Sequence, residues 1–167
     1  MIGFILARAV TYGALFVGVL LIYLPRIVLS RSGMVPPSST GALQIVGMSV
    51  GACGAALALW CIGTFAFVGR GTPAPFDPPR RLVVRGPYRM LRNPMYIGAS
   101  LALTGAALFY PSLALLAYAG LFLLATHLFV IWYEEPTLKR TFRGEYEAYC
   151  RGVRRWLPRL PRSTVPP

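Results

Sequence analysis

Residues 93–133 read NPMYIGASLALTGAALFYPSLALLAYAGLFLLATHLFVIWY, 41 residues without a single Lys, Arg, Asp or Glu. A helix needs about 20 residues to cross the hydrocarbon of a bilayer, so this run is too long for one span. Tyr110-Pro111-Ser112 interrupts it near the middle, and a proline ring ends one helix while suiting the first turn of the next. The run predicts a hairpin of two spans, over 94–110 and 111–133. The first of these is short and is expected to tilt little or to end inside the interface.

Two further apolar runs precede the hairpin. Residues 2–24 are interrupted only by Arg8, near one end, where a long side chain reaches the headgroups. Residues 43–68 contain no charge. No small-x-small site follows the first run, which argues against a cleaved signal peptide. The 167 residues are 56% apolar and 13% charged, with a mean hydropathy of +0.58. A soluble domain carries about 25% charge. The expectation is one all-α integral membrane domain of about four spans (2–24, 43–68, 94–110 and 111–133), with a loop over 69–93 and a tail over 134–167.

The net charge of +12 suits nucleic acid in principle, because a basic protein releases counterions from phosphates. Its distribution excludes that reading: the charges avoid the apolar runs and gather between and after them. Arg70, Arg80, Arg81, Arg85, Arg89 and Arg92 lie in the loop. Eight more basic residues lie between Lys139 and Arg162, against two, Arg26 and Arg31, in the first loop. Positive-inside bias then puts the 69–93 loop, the tail and both termini in the cytoplasm.

Cys53, Cys61 and Cys150 make no disulfide framework and read as free thiols. Gly47-x-x-x-Gly51-x-x-x-Ala55 is a ridge of small residues that lets another helix approach closely, either within one chain or between two, so monomer and dimer both stay open. Residues 71–79 are Pro-rich and read as an extended linker.

Two stretches exceed what a structural bundle needs. In 82–96, Gly86-Pro87 and Asn93-Pro94 mark two turns around a short helix carrying Tyr88, Arg89 and Arg92. Pro94 suits the first position of the third span, with Asn93 as its N-cap. A membrane anchor of arginines and tyrosines shares this composition. The second stretch is Glu134-Glu135-Pro136. Carboxylates at a helix C-terminus face its partial negative charge, so they need a cationic partner. Pro136 disfavours helical geometry at Glu135, so the span is expected to stop there and a new helix to start. At the bilayer edge such carboxylates are functional-site candidates. Leu138, Phe142, Tyr146, Tyr149, Val153 and Trp156 then form one apolar stripe of an amphipathic tail helix, which Gly144 and Gly152 weaken toward two shorter ones.

Gly86-Pro87-Tyr88-Arg89-x-x-Arg92-Asn93-Pro94-Met95-Tyr96-x-Gly98, a span hairpin, Glu134-Glu135-x-x-Leu138, then Phe142, Tyr146 and Tyr149 together resemble one superfamily. It comprises the isoprenylcysteine carboxyl methyltransferases and the membrane phospholipid N-methyltransferases. The resemblance covers about residues 80–160. It implies a multi-span, S-adenosylmethionine-dependent methyltransferase with the cofactor bordered by Leu82, Val83, Gly86 and Tyr88, contacted by Asn93, Pro94 and Tyr96, and bound from the other side by Glu134, with Glu135 beside it. A sulfonium and an ammonium make Glu134 a sensible partner, and Arg89 or Arg92 answers the cofactor carboxylate. No metal is implied.

Two departures bear on the substrate and the tail. The isoprenylcysteine enzymes carry a carboxylate-binding arginine one turn before the first glutamate, where this chain has Val130. An amine or another lipophilic nucleophile from the bilayer thereby gains ground over a prenylcysteine carboxylate. The family usually has Gly directly after Phe, where this chain has Arg143. His127 lies seven residues before Glu134, two turns up one helix face, either as a packing histidine or, with Arg92 and Glu134, among the residues at the reacting groups. The rival reading is a non-enzymatic lipid-binding or assembly protein of the membrane.

Overall fold

The computed structural model describes residue 11 and residues 14–33, 35–69 and 82–158. The first half of the first expected span, most of the basic loop (70–81) and the end of the tail (159–167) lie outside them. All the regular structure described is helical. We number the helices α1 (Ala14–Arg31), α2 (Ala42–Thr64), α3 (Pro94–Phe109), α4 (Leu113–Phe129) and α5 (Glu135–Gly152).

Among the described residues, three helical runs are long and apolar enough to cross a membrane: α1, α2, and the continuous run Leu113–Gly152 that contains α4 and α5. The expected third span is present as α3, apolar but only 16 residues, or about 24 Å at 1.5 Å per residue. Tyr110 and Pro111 form the predicted turn, and the Ser112 hydroxyl caps α4 by accepting from the Leu115 N–H at 3.2 Å.

Two expected boundaries are overturned, both at prolines. The first span does not end at Leu24, because α1 runs on through Pro25 to Arg31. The break expected at Glu135 is also absent: Glu134 (φ −68°, ψ −52°) and Glu135 (φ −62°, ψ −44°) are helical, and α4 passes into α5. The physical reason is the same in both places. A wide π turn precedes each proline, Val17–Tyr23 before Pro25 and Val130–Glu134 before Pro136. In that register an N–H bonds the carbonyl five residues back, as Leu24 does to Val19 and Glu135 to Val130. The extra residue absorbs the missing donor and the ring's bulk. The Leu20 carbonyl, whose five-residue partner would be Pro25, accepts instead from the Tyr118 hydroxyl at 2.8 Å. Inside a bilayer no water could do this.

The small-residue ridge packs α2 on α3 within the chain. A Cβ at Gly47 would meet the Phe109 nitrogen at 2.7 Å, and one at Gly54 the Ala102 nitrogen at 2.5 Å. Gly98 and Gly105 present the matching surface, Gly105 against Gly51. The ridge is thus Gly47, Gly51, Gly54 and Ala58; the expected Ala55 is exposed. On its other side α3 packs Ala99 and Leu103 on Ala119 and Phe122 of α4, with Phe16 of α1 edge-on to Phe122. This holds the first turn of α3 beside the end of α2, where the functional motifs converge.

α5 bends at Arg143, whose φ of 44° and ψ of −120° are not helical. The break falls beside Gly144, the residue expected to weaken this helix, and Arg143 has taken a backbone shape that Gly adopts freely.

Candidate active site

Leu82 and Val83 lead into a 3-10 turn, Gly86–Arg89. The helix expected between the two turns is therefore one short turn, and Arg92 lies beyond it. Gly86 has φ +55°, and a Cβ there would press on Thr64 and Trp60 of α2 at 3.2 and 3.3 Å, so glycine serves both backbone and packing. Val83 and Tyr88 bury themselves with Cys61 of α2, and the Tyr88 ring stands edge-on to Phe65 at 5.1 Å. Burial pushes the Tyr88 hydroxyl well above its ordinary range, reinforced by Cys61.

Asn93 occupies the position before α3, as expected, but its side chain makes no cap bond. Its amide Nδ2 instead donates to the Arg155 carbonyl at 3.3 Å, and the residue is 5% exposed. Pro94 opens α3 and is buried. Tyr96, two residues on in the same first turn, donates its hydroxyl to Glu134 Oε2 at 3.0 Å. Two patches 38 residues apart are joined by that bond.

The adjacent carboxylates are divided between different partners. Glu135 is 8% exposed and accepts from Arg155 twice, Nε to Oε1 at 2.7 Å and Nη2 to Oε2 at 2.9 Å. Arg92 Nη1 adds a second cation at 3.2 Å. Planar guanidinium matched to carboxylate is the strong form of an ion pair, and the bond to Glu135 pushes Arg155 further up. Glu134 pairs with no cation among the described residues, and its bond is the one from Tyr96. A half-buried carboxylate beside another, with one neutral donor, has a demand for positive charge that the described residues leave unmet.

His127 and Glu134 do not share a partner or a face as expected. The wider π turn Val130–Glu134 lies between them and changes the helical register, and His127 Nδ1 accepts the Trp156 indole N–H at 2.9 Å. Nδ1 is thereby the unprotonated nitrogen and the proton of the neutral ring sits on Nε2. Val130, standing where the carboxylate-binding arginine was sought, is completely buried.

Several residues outside the motif assignments complete the constellation. Tyr149 donates to the Tyr88 carbonyl at 2.6 Å, and Arg92 Nη1 lies 2.7 Å from Cys150 Sγ. Leu91 bridges Arg154, whose carbonyl accepts from the Arg92 N–H at 2.9 Å. Residues 154–156 thus strap the loop to Glu135 and to His127. The apolar stripe had flagged Tyr149 and Trp156. For Arg155 the available signal was the cation demanded by paired carboxylates.

Residues 42–145 match the family profile described as phospholipid methyltransferase. No curated protein and no solved structure matches the chain.

Proposed function

The chain belongs to the phospholipid methyltransferase family, and from that membership we propose that this membrane methyltransferase uses S-adenosylmethionine to methylate a lipophilic nucleophile from the bilayer. The observation that carries the reading is the Tyr96–Glu134 bond, which sets a cation-lacking carboxylate at the meeting point of two distant motifs.

The donor set fits the cofactor. Glu134 supplies the anion that a sulfonium or ammonium needs, and Tyr96 fixes the carboxylate's orientation. Arg92 has a buried Nε without a partner among the described residues, a donor suited to the cofactor carboxylate. Leu82, Val83, Gly86 and Tyr88 form the apolar wall, with Asn93 and Pro94 fixing the start of α3. Glu135 contributes by holding Arg92 and Arg155 rather than through a free oxygen. When bound, S-adenosylmethionine supplies a methyl group activated by its sulfonium. The chain's own part is to exclude water, hold the reacting groups in line and balance charge in a medium of low dielectric.

Val130 offers no charge to a substrate carboxylate, which supports an amine or another lipid nucleophile. An amine gives up a proton, and Glu134 is the better acceptor. His127 would first have to release the Trp156 bond or exchange tautomers, so it acts here as an orienting group. The bias of Arg and Lys toward the loop and tail supports a cytoplasmic location for this end of the bundle. The non-enzymatic lipid-binding reading leaves Glu134 without a role.

The test is calorimetry of S-adenosylmethionine, which carries both the sulfonium and the ammonium, on the detergent-solubilised protein. Glu134→Gln should weaken binding by about 10-fold or more, because a hydrogen bond to a charged group is worth about 1.5–3 kcal/mol. Unchanged affinity removes Glu134 from the site.

A further inference from the structure

Two buried polar atoms have no partner among the described residues, and along the chain they flank Tyr96, the partner of Glu134. Arg92 Nε lies before it, on the loop side, and Ser100 Oγ after it, in the second turn of α3. The first is absorbed by the reading above. The second is not.

Ser100 is an exception in this bundle. The hydroxyls of Ser49, Thr64, Thr104, Thr126, Thr137 and Thr141 each donate to the carbonyl four residues back, at 2.7–2.9 Å. That bond is the usual refuge of a hydroxyl in a membrane helix. Ser100 makes none, and its carbonyl is taken by Thr104 at 2.8 Å. In an apolar environment no water compensates it, and a buried hydroxyl without a bond costs about 1–3 kcal/mol.

Its position gives the orphan hydroxyl a use. Residues four apart lie on one helix face, so Ser100 continues the stripe of Tyr96, about 6 Å further along α3. It is separate from the glycine face that meets α2 and next to Ala99 and Leu103, which meet α4. The stripe therefore runs from Glu134's partner toward the hydrocarbon, the direction from which a lipophilic acceptor arrives.

We propose that Ser100 is a substrate-binding residue: its hydroxyl holds an uncharged hydrogen-bonding atom (an amine, hydroxyl or ester carbonyl) of the lipid methyl acceptor. A charged group is excluded at this point because Ser100's neighbours on α3 that meet α4, Ala99 and Leu103, are apolar and bring no counter-charge. The proposal rests on the methyltransferase reading and adds the contact that positions the acceptor.

The experiment uses the full chain in detergent, as wild type, Ser100→Ala and Thr104→Ala. Two acceptor probes are added separately, phosphatidylethanolamine in mixed micelles and farnesylcysteine. Thermal unfolding is read with and without probe, and methyl transfer from labelled S-adenosylmethionine is read as KM and kcat. Without probe, Ser100→Ala should melt at or above the wild-type temperature, since it removes an unpaired polar group. It should lose most of the probe-induced stabilisation and raise the acceptor KM about tenfold, with the S-adenosylhomocysteine shift unchanged. Thr104→Ala should keep the probe shift. A probe shift in Ser100→Ala equal to wild type, or no shift from either probe in wild type, overturns the proposal. Absence of any S-adenosylhomocysteine shift in wild type instead sinks the cofactor reading, and the acceptor arm still reports on Ser100.

Discussion

Replacing Gly54 with Ala adds one methyl group at the closest approach of α2 and α3. That Cβ would stand 2.5 Å from the Ala102 nitrogen, 2.6 Å from the Gly98 oxygen and 2.8 Å from the Leu101 Cβ. Two of these are backbone atoms, which cannot rotate away. Ordinary contact begins at 3.4 Å, so the helices must part there by about 0.9 Å, in an interior packed without spare volume. Overpacking costs about 1–3 kcal/mol, offset by at most about 1 kcal/mol from replacing Gly in a helix. The net expectation is a loss of about 1–2 kcal/mol. Gly63, nine residues along the same helix, has nothing within 4 Å of its Cβ position. Gly63→Ala should therefore be neutral or stabilising. Thermal unfolding of both variants in one detergent makes the comparison. Because α3 carries Tyr96, displacing it strains a 3.0 Å bond to Glu134, and S-adenosylhomocysteine affinity should fall in Gly54→Ala alone. Equal melting shifts for the two alanines would refute the close-packed interface, and unchanged affinity in a destabilised Gly54→Ala would uncouple the ridge from the site.

Arg143→Gly should stabilise the protein by about 1–2 kcal/mol, because a side chain at positive φ costs about 1–3 kcal/mol and Gly relieves it; a lower melting temperature would contradict the bend. Glu135→Gln leaves Arg92 and Arg155 without their anion. A loss of about 2 kcal/mol is expected, less than for a fully buried pair because the Arg155 side chain is 32% exposed. Denaturant unfolding reads it, and a loss no larger than that of an exposed ion pair would show the contact to be incidental.

The hairpin was legible because an uncharged run of 41 residues with a central proline admits few other solutions in a membrane. The joining of Tyr96 to Glu134 was expected from the resemblance and matches the geometry. Pro136 misled, because the rule that a helix stops before proline assumes a fixed four-residue register, and a π turn changes it. A hydrophobic pattern does not record that change. Nor could Asn93 announce that its amide serves a carbonyl 62 residues away instead of capping its own helix. The side chain is right for either task, and only the returning chain decides between them. The partner of Glu135 was foreseeable as a cation but not as Arg155, since a basic tail offers several equivalent candidates.

The strap has a consequence in time. Residues 154–156 are synthesised after every helix they fasten, so a nascent chain can have its described apolar helices lodged in the bilayer while Glu135 and His127 are still unfastened. At about 5–20 residues per second, the 20 residues between Glu135 and Arg155 take a second or more to emerge. Throughout that interval Glu135 lacks the bidentate partner that Arg155 later supplies. Competence for chemistry is thus acquired in a final stitch, separate from insertion, and a defect in that stitch would yield protein that is correctly embedded yet idle.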